Sequence, residues 1–371
     1  MRKTNKCVLF YFQGNKIAYD QLSLALLFQK NKVQVVFYTP YIRGSLHSAL
    51  DSHKIMYFGV RVKDANSTIR SLILDAYTLF NYLRLNNVSL FFSHLPLNNL
   101  LASMLSTFFK YKTRFITVRH HTDYILKGKN KNAKTIDFLV NKIAPKIQVI
   151  SDRSINHLLK IEKVKWKKLL RLNLYFDFSL FPEPNMVEVN RIKQLNHEKK
   201  IILTIGRLIP VKNHLFLLDV IKHLKHELSF VLLILGEGAE FEKLDKKIKE
   251  DNLQNEVQLL GYKNNVFDYI KAADLIVHLS NSENSSGVAK EAAVLETAFL
   301  GFKSVGDSNA FLNKETGYPL AKNSSEKKIA NEIKHALEDI FSVNKARNMK
   351  KLMIENHCSK DLENQYLTLI Q

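Results

Sequence analysis

The sequence predicts an α/β protein of two doubly wound domains, each a parallel sheet covered by helices on both faces. Three observations point there. The chain has 371 residues, more than the roughly 250 at which a single hydrophobic core stops growing. Short apolar runs alternate with amphipathic stretches through both halves. The charge is uneven as well. Lys and Arg number 55 against 35 Asp and Glu, a formal net charge of +20. Residues 1–185 hold 29 basic and 10 acidic residues, while 186–371 hold 26 and 25. A domain this basic attracts a polyanion, a phosphorylated ligand or an anionic membrane surface.

The elements follow in order. A strand over Lys6–Phe12, a helix over Ile17–Gln29 and a strand over Val33–Thr39 make a first βαβ unit. Helical spacing then runs through Asn66–Leu83, with Ile69, Leu72, Ile73, Ala76, Phe80 and Leu83 on one stripe. It recurs over Leu97–Phe109, with Leu97, Leu100, Leu101, Met104, Leu105, Phe108 and Phe109. Both stripes read as core faces. Strands are expected at Ser89–Ser93, Arg114–Val118 and Ile147–Ile150.

A polar, proline-containing stretch from Phe181 to Lys200 interrupts the pattern. The domains are therefore placed at 1–182 and 201–350, joined by a linker over 183–200. A C-terminal helix over 351–371 is expected to pack back on the first domain. In the second half, strands at Ile201–Ile205, Phe230–Leu235, Val257–Leu259 and Leu275–Leu279 alternate with helices near Asn213–Leu228, Ala239–Asp251, Val266–Ala272 and Gly287–Leu295. Glu326–Gln371 reads as helices.

Composition excludes several classes. Hydrophobic residues at 46% and charged residues at 24% are those of a folded domain, not of a disordered or collagenous chain. No apolar run approaches the roughly 20 residues that cross a bilayer. The apolar stretch Cys7–Phe12 is too short for a signal peptide, so the expected location is the cytoplasm. Cys7 and Cys358 lie at opposite ends of the chain, with neither disulfide-framework nor metal-ligand spacing.

Chemistry concentrates in the second half, where ligands of open parallel sheets bind beyond the carboxyl ends of the strands. The run Thr204 to Asn213 leaves a strand, turns and enters a helix. Gly206 leaves room for a ligand, and Arg207 and Lys212 flank a helix start whose free N–H groups favour an anion. This arrangement suits a diphosphate. After the fourth strand, Ser280–Glu291 places Glu283 in the strand-end loop and Glu291 about one turn into the next helix. Carboxylates there suit a hydroxyl-rich ligand, because they accept hydrogen bonds from neighbouring OH groups.

Taken together and in this order, these runs resemble the retaining glycosyltransferase family 4, of the GT-B fold. The resemblance rests on Gly206–Asn213, on Leu235-Gly236-Glu237-Gly238, on Leu260-Gly261, on Ala272-Ala273-Asp274 and on the Glu283 and Glu291 pair. It implies two Rossmann-like domains, the C-terminal one binding a nucleotide-sugar donor. Arg207 and Lys212 would hold the diphosphate, Glu291 the ribose and Glu283 the donor sugar, with Gly206, Ser286 and Gly287 beside them. In the first domain, Phe91–Pro96 and Thr117–Tyr124 are similar to the family's strand-end histidine segments. His120 falls where the family places a histidine near the donor sugar, with His94 and His121 as weaker candidates. Gly14 resembles its glycine loop at the cleft. The catalytic set is thus Arg207, Lys212, Glu283 and His120, with no metal and no cofactor beyond the donor. Three positions depart from the family: its Gly and Pro near Glu296 and Ala298 are replaced, Val305–Phe311 lacks paired glycines, and its Asn-Gly turn near Tyr175 is absent.

The resemblance implies hexosyl transfer, with retention of configuration, to a glycan or polyprenyl-diphosphate-linked acceptor in surface polysaccharide assembly. Alternatives are an epimerase of the same fold and a non-catalytic nucleotide-sugar or polyanion-binding protein. Lys127–Lys134 reads as a mobile basic loop, and Lys160–Arg171 sets the only tryptophan, Trp166, among lysines. Such a segment fits reversible contact with an anionic membrane, here the inner face. Nucleic-acid binding is not expected, since the aromatics sit in apolar runs and not among the basic residues.

Overall fold

Two parallel sheets form the centres of this computed structural model, which describes residues 6–61, 69–120 and 131–371. They belong to separate units, one of Met1–Leu180 with Asn356–Gln371 and the other of Phe181–Glu355.

In the first unit the strands are β1 (Cys7–Tyr11), β2 (Gln34–Tyr38), β3 (Met56–Phe58), β4 (Leu90–His94), β5 (Arg114–Val118), β6 (Ile147–Val149) and β7 (Leu169–Arg171). Their order is β3-β2-β1-β4-β5-β6-β7, and every pairing is parallel. The helices are α1 (Tyr19–Lys30), α2 (Ser45–Ser52), α3 (Ile69–Leu85), α4 (Pro96–Phe109), α5 (Lys131–Ile143) and α6 (Asp152–Lys160). Because helices cover both faces, β1 is apolar at every position. Val8 and Phe10 enter one core with Phe28, Phe37 and Phe92, while Leu9 and Tyr11 enter another with Leu79, Leu83 and Phe115. The second core also contains the carboxylate of Asp75, which accepts hydrogen bonds from Tyr38 at 2.7 Å and Tyr11 at 3.1 Å and pairs with Arg61.

The second unit has β8 (Lys200–Ile205), β9 (Phe230–Leu235), β10 (Val257–Gly261), β11 (Leu275–His278), β12 (Ala298–Phe302) and β13 (Tyr318–Leu320). The order is β10-β9-β8-β11-β12-β13, again all parallel. Its helices are α7 (Met186–Leu195), α8 (His214–Lys222), α9 (Phe241–Glu250), α10 (Val266–Ala272), α11 (Gly287–Val294), α12 (Glu326–Glu338) and most of α13 (Ser342–Cys358). The last helix, α14 (Lys360–Thr368), lies in the first unit, where Leu362 and Tyr366 join the core of Phe10. There Gln148 donates to the Tyr366 hydroxyl at 2.8 Å, and that hydroxyl donates to the Asn173 carbonyl at 2.7 Å.

Strand order reverses between β1 and β4 in one sheet and between β8 and β11 in the other, the switch points at which such sheets bind ligands. The second switch point is shaped by glycines. A Cβ on Gly236 (φ +144°) would stand 1.9 Å from the Gly206 carbonyl oxygen, and one on Gly238 would stand 2.4 Å from that of Leu208. The two loops are also hydrogen-bonded, Gly206 N–H to Leu235 O at 3.0 Å and Leu208 N–H to Glu237 O at 2.8 Å.

The structure departs from the sequence reading in places. The stretch read as a linker, 183–200, carries α7. Also unanticipated are α2, β3, α5, α6, β7, β12 and β13, several of them strands of only three residues with no periodicity to read. The stripes of α3 and α4 are core faces only in part. Leu83, Leu101 and Leu105 are buried, but Ile73, Phe80, Met104 and Phe108 are exposed. Inward positions carry Ser71, Asp75, Asn98, Asn99, Ser103 and Ser106 instead. Several of these polar groups are satisfied locally: Asn99 donates to Val118 O at 3.0 Å and accepts from the Ser93 hydroxyl at 2.8 Å.

Gly236→Ala should lower the stability of the second unit by about 2–4 kcal/mol, since backbone must move away from the new methyl group. Thermal unfolding of the variant checks this, and an unchanged melting temperature would refute the close approach.

Candidate functional site

The site grows from the corner after β8. Ile209 is extended (φ −136°, ψ 155°), as the residue before a proline prefers, and Pro210–Lys212 forms one 3-10 turn. Asn213 then takes a left-handed conformation (φ 63°) and starts α8. This tight path returns Lys212 across Gly206, where its Cδ and Cε would lie 3.5 and 3.6 Å from a Cβ at that glycine. The Lys212 ammonium donates to Glu283 Oε1 at 2.5 Å. His278, the last residue of β11, places Nε2 3.0 Å from the same oxygen. Two groups, one from a loop and one from a strand end, thus meet at one carboxylate. Burial pushes the Glu283 carboxyl up, but hydrogen bonds and charge from His278 and Lys212 outweigh it and hold the group at about 2. His214 lies alongside, buried, and is lowered to about 4 by burial and then by His278 and Lys212. Its Nδ1 has no hydrogen-bond partner.

The Glu283 loop is braced from beneath. Ser286 caps α11 by accepting from Ala289 N–H at 3.2 Å. Asp307 accepts from the Ser285 hydroxyl at 2.6 Å and from Ser286 N–H at 3.3 Å, while the ammonium of Lys290, only 1% exposed, reaches Ser285 at 2.5 Å and Asp307 at 3.3 Å. Gly306 (φ +61°) permits this, because a Cβ there would stand 2.9 Å from the carbonyl oxygens of Glu283 and Asn284. The space beside Gly287 is open: a Cβ there would meet nothing within 4 Å. Glu291, one turn on, is raised to about 7 by burial, which the charge of Lys290 offsets only in part. Neither a hydrogen bond nor an ion pair holds its carboxylate among the described residues. A group like this is unfavourable for the fold and points to a ligand. Glu296 is itself left-handed (φ 55°) and is anchored by Arg347 at 3.2 Å and Lys350 at 2.9 Å.

Of the residues singled out in this half, the structure brings Lys212 and Glu283 into contact and sets Gly206 beneath the lysine. Ser286 and Gly287 open the helix that carries Glu291. Arg207 follows Gly206 and is exposed, and no contact ties its guanidinium to Lys212 or to either glutamate. The sequence reading missed His278, His214, Lys290 and Asp307. A histidine closing a strand just before the Glu283 loop was a readable signal for His278; nothing in the spacing marks the pairing of Lys290 with Asp307.

In the first unit, His94 closes β4 and His120 lies just beyond β5, with His94 Nδ1 2.7 Å from His120 Nε2. Burial, and then the charge of His120, hold His94 well below the ordinary histidine range, so it is neutral. Its Nε2 is buried without a partner. Asp20 of α1 offers an oxygen within 4.8 Å of a ring nitrogen of each, the one trio with metal-ligand chemistry among the described residues. Gly14 lies in the loop after β1, where a Cβ would stand 2.7 Å from the Phe12 ring. His121 and Lys127–Asn130 lie outside the described residues, while Lys131–Lys134 open α5. Trp166 is exposed in a 3-10 turn, Trp166–Lys168.

Residues 187–355 match the family described as glycosyl transferases group 1. Over 207 residues the chain is 30% identical to N-acetylgalactosamine-N,N'-diacetylbacillosaminyl-diphospho-undecaprenol 4-alpha-N-acetylgalactosaminyltransferase of Campylobacter jejuni, covering 53% of each chain. It is 26% identical over 192 residues to the amylovoran biosynthesis glycosyltransferase AmsD of Erwinia amylovora, covering 52% of each. The chain spans about half the length of these curated relatives. In fold it is similar to Anabaena HepE, solved in complex with UDP-glucose, with a TM-score of 0.79, 16% identity and 98% of both chains covered.

Glu283→Gln tests the charge cluster. The folded-state value of about 2 lies below the ordinary 4.5, so the stabilisation is fully present above pH 4.5 and drains as pH falls towards 2. The variant should be less stable than wild type by roughly 3 kcal/mol at pH 7. Urea unfolding across pH should show the gap closing below 4.5; a gap independent of pH would mean that Glu283 is not held as an anion by its neighbours.

Proposed function

We propose, from the match of residues 187–355 to the family described as glycosyl transferases group 1 and from the GT-B fold of the chain, that the protein moves a hexose-type sugar from a nucleotide diphosphate to a glycan or lipid-linked acceptor. The observation that carries this is the meeting of Lys212 and Glu283 at the β8/β11 switch point, beside a helix start with open space at Gly287. A cation next to free helical N–H groups grips a diphosphate, and an adjacent carboxylate accepts hydrogen bonds from sugar hydroxyls. Exposed Arg207 adds a second positive group for the phosphates, with no competing ion pair among the described residues. The name of the Campylobacter relative, with its diphospho-undecaprenol acceptor, and that of the Erwinia relative, which acts in amylovoran biosynthesis, support a lipid-linked acceptor in surface polysaccharide assembly.

The chemistry follows from that placement. The bond between the anomeric carbon and the diphosphate oxygen breaks as the acceptor oxygen bonds the same face of that carbon, which retains configuration. The acceptor's proton passes to the departing phosphate. Lys212 and Arg207 lower the barrier by stabilising the charge that grows on the diphosphate, without a metal. Before donor arrives, Lys212 is neutralised by Glu283. Donor binding exchanges that pair for two separate contacts, ammonium to phosphate and carboxylate to sugar. Glu291 accepts from the ribose hydroxyls. The protein works in the cytoplasm, at the inner face of the membrane that holds a lipid-linked acceptor.

Differential scanning with a panel of nucleotide diphosphates and their sugars should raise the melting temperature of the wild type for one donor. Arg207→Ala should lower transfer from that donor by about two to three orders of magnitude, and EDTA should leave the wild-type rate unchanged. Transfer at the wild-type rate by the variant would refute the diphosphate assignment.

Donor affinity should also rise as pH climbs through about 7, where Glu291 becomes a full acceptor, and Glu291→Gln should flatten that profile. Calorimetric titration of donor at several pH values reads it. A profile that keeps its shape in the variant would remove Glu291 from the ribose.

A further inference from the structure

We propose that the outward face of α3 and α4 is the surface on which this protein lies against an anionic lipid bilayer. The inference deepens the reading that the protein works at a membrane, on which it rests, and assigns the contact to a different place from the lysine-rich segments of the sequence.

Both helices bury one set of apolar residues and expose another. Along α3 the outward positions are Ile73, Leu74, Tyr77 and Phe80, with exposures of 63%, 55%, 69% and 37%. Along α4 and its end they are Met104 at 51%, Phe108 at 71% and Tyr111 at 93%. Meanwhile Ser71, Asp75, Asn98, Asn99, Ser103 and Ser106 point inward. The two rows are one surface, because the Phe80 ring lies 5.8 Å from Phe108 and 5.1 Å from Phe109. A water-facing helix pair ordinarily shows the opposite pattern.

The charges say what covers the patch. From residue 69 to 112 the basic side chains are Arg70, Arg84, Lys110 and Lys112, and the sole acid is Asp75. Asp75 is buried and held by Arg61, so it does not neutralise the face. Lys112 is fixed at the junction of the helices, donating to Leu83 O at 3.0 Å and Asn86 O at 2.8 Å. Lys110 stands 5.0 Å from the Tyr111 ring centroid. Aromatic and aliphatic groups accompanied by cations, with no exposed acid among residues 69–112, match a layer of anionic headgroups over acyl chains. A second copy of the same face would instead bring cation against cation around a two-fold axis. No helix of the described residues is long and apolar enough to cross a membrane, so the contact is one of lying on the surface. The segment around Trp166 offers a smaller target, with Ile161 and Trp166 as its exposed apolar groups.

The test is co-sedimentation of the full chain with vesicles of equal parts phosphatidylglycerol and phosphatidylcholine, at low and high salt. Wild type should bind, and Tyr77→Ser with Phe108→Ser should weaken partitioning by about tenfold or more. Arg84→Glu with Lys110→Glu, which leaves the apolar groups in place, should abolish the salt-sensitive part. Trp166→Ser should change little. Loss of binding in Trp166→Ser, with the Tyr77 and Phe108 variant binding like wild type, would overturn the assignment. So would a wild-type dimer in light scattering that the same double substitution disperses. Vesicle binding by a chain that transfers no sugar supports this face and counts only against the enzyme reading; donor-induced melting shifts verify that each variant is folded.

Discussion

The contact between two loop backbones at the end of β8 and β9 governs the site. Gly206 and Gly236 approach so closely that neither a methyl group nor a water fits between the Gly236 Cα and the Gly206 carbonyl. That proximity lets two neighbouring strand ends share hydrogen bonds and leaves Gly206 bare on its other side. Lys212 uses the bare side to fold back towards Glu283. A bulkier strand end would place the ammonium elsewhere, and the carboxylate would lose one of the two neighbours that hold its carboxyl low. Backbone geometry at glycine thus sets the electrostatics of groups more than seventy residues apart in sequence.

The two glutamates of this domain show how burial alone decides little. Both are desolvated, yet Glu283 is held at about 2 and Glu291 rises to about 7. The difference lies in their partners. Glu283 receives Lys212 and His278, whereas Lys290, whose charge acts on Glu291, is directed instead to Ser285 and Asp307. Lys290 and Asp307 tie the helix start to the following loop, and that structural task keeps the lysine from neutralising its neighbour in sequence. One carboxylate is kept charged by the fold and the other is left for something the fold does not supply.

Left-handed residues tell a similar story of local strain met by distant contacts. Glu296 takes a conformation suited to glycine and is stabilised from α13 by Arg347 and Lys350. Gly306 supplies on its own the turn beneath Glu283. The turns around the site are thus held by side-chain contacts, with Ser286 capping the helix that carries Glu291.

By itself the sequence determined the alternation of strands and helices, the two-unit organisation of charge, and the order of glycines, cations and glutamates along the second half. Those are local signals: period, turn chemistry and the φ values that glycine tolerates. The tertiary structure decided which side of each helix meets the sheet. On α3 and α4 apolar residues occur all round, so periodicity could not say that Leu83 and Leu101 point inward while Tyr77 and Phe108 point to solvent. It also decided that His278 joins Glu283, that His94 fixes His120 and that Asp307 reaches Lys290. Each of these depends on which strand ends become neighbours when the sheet forms, and the strand order β10-β9-β8-β11-β12-β13 is not written in any local stretch of chain. Partnership, and with it the charge state of the site, is a property of the assembled sheet.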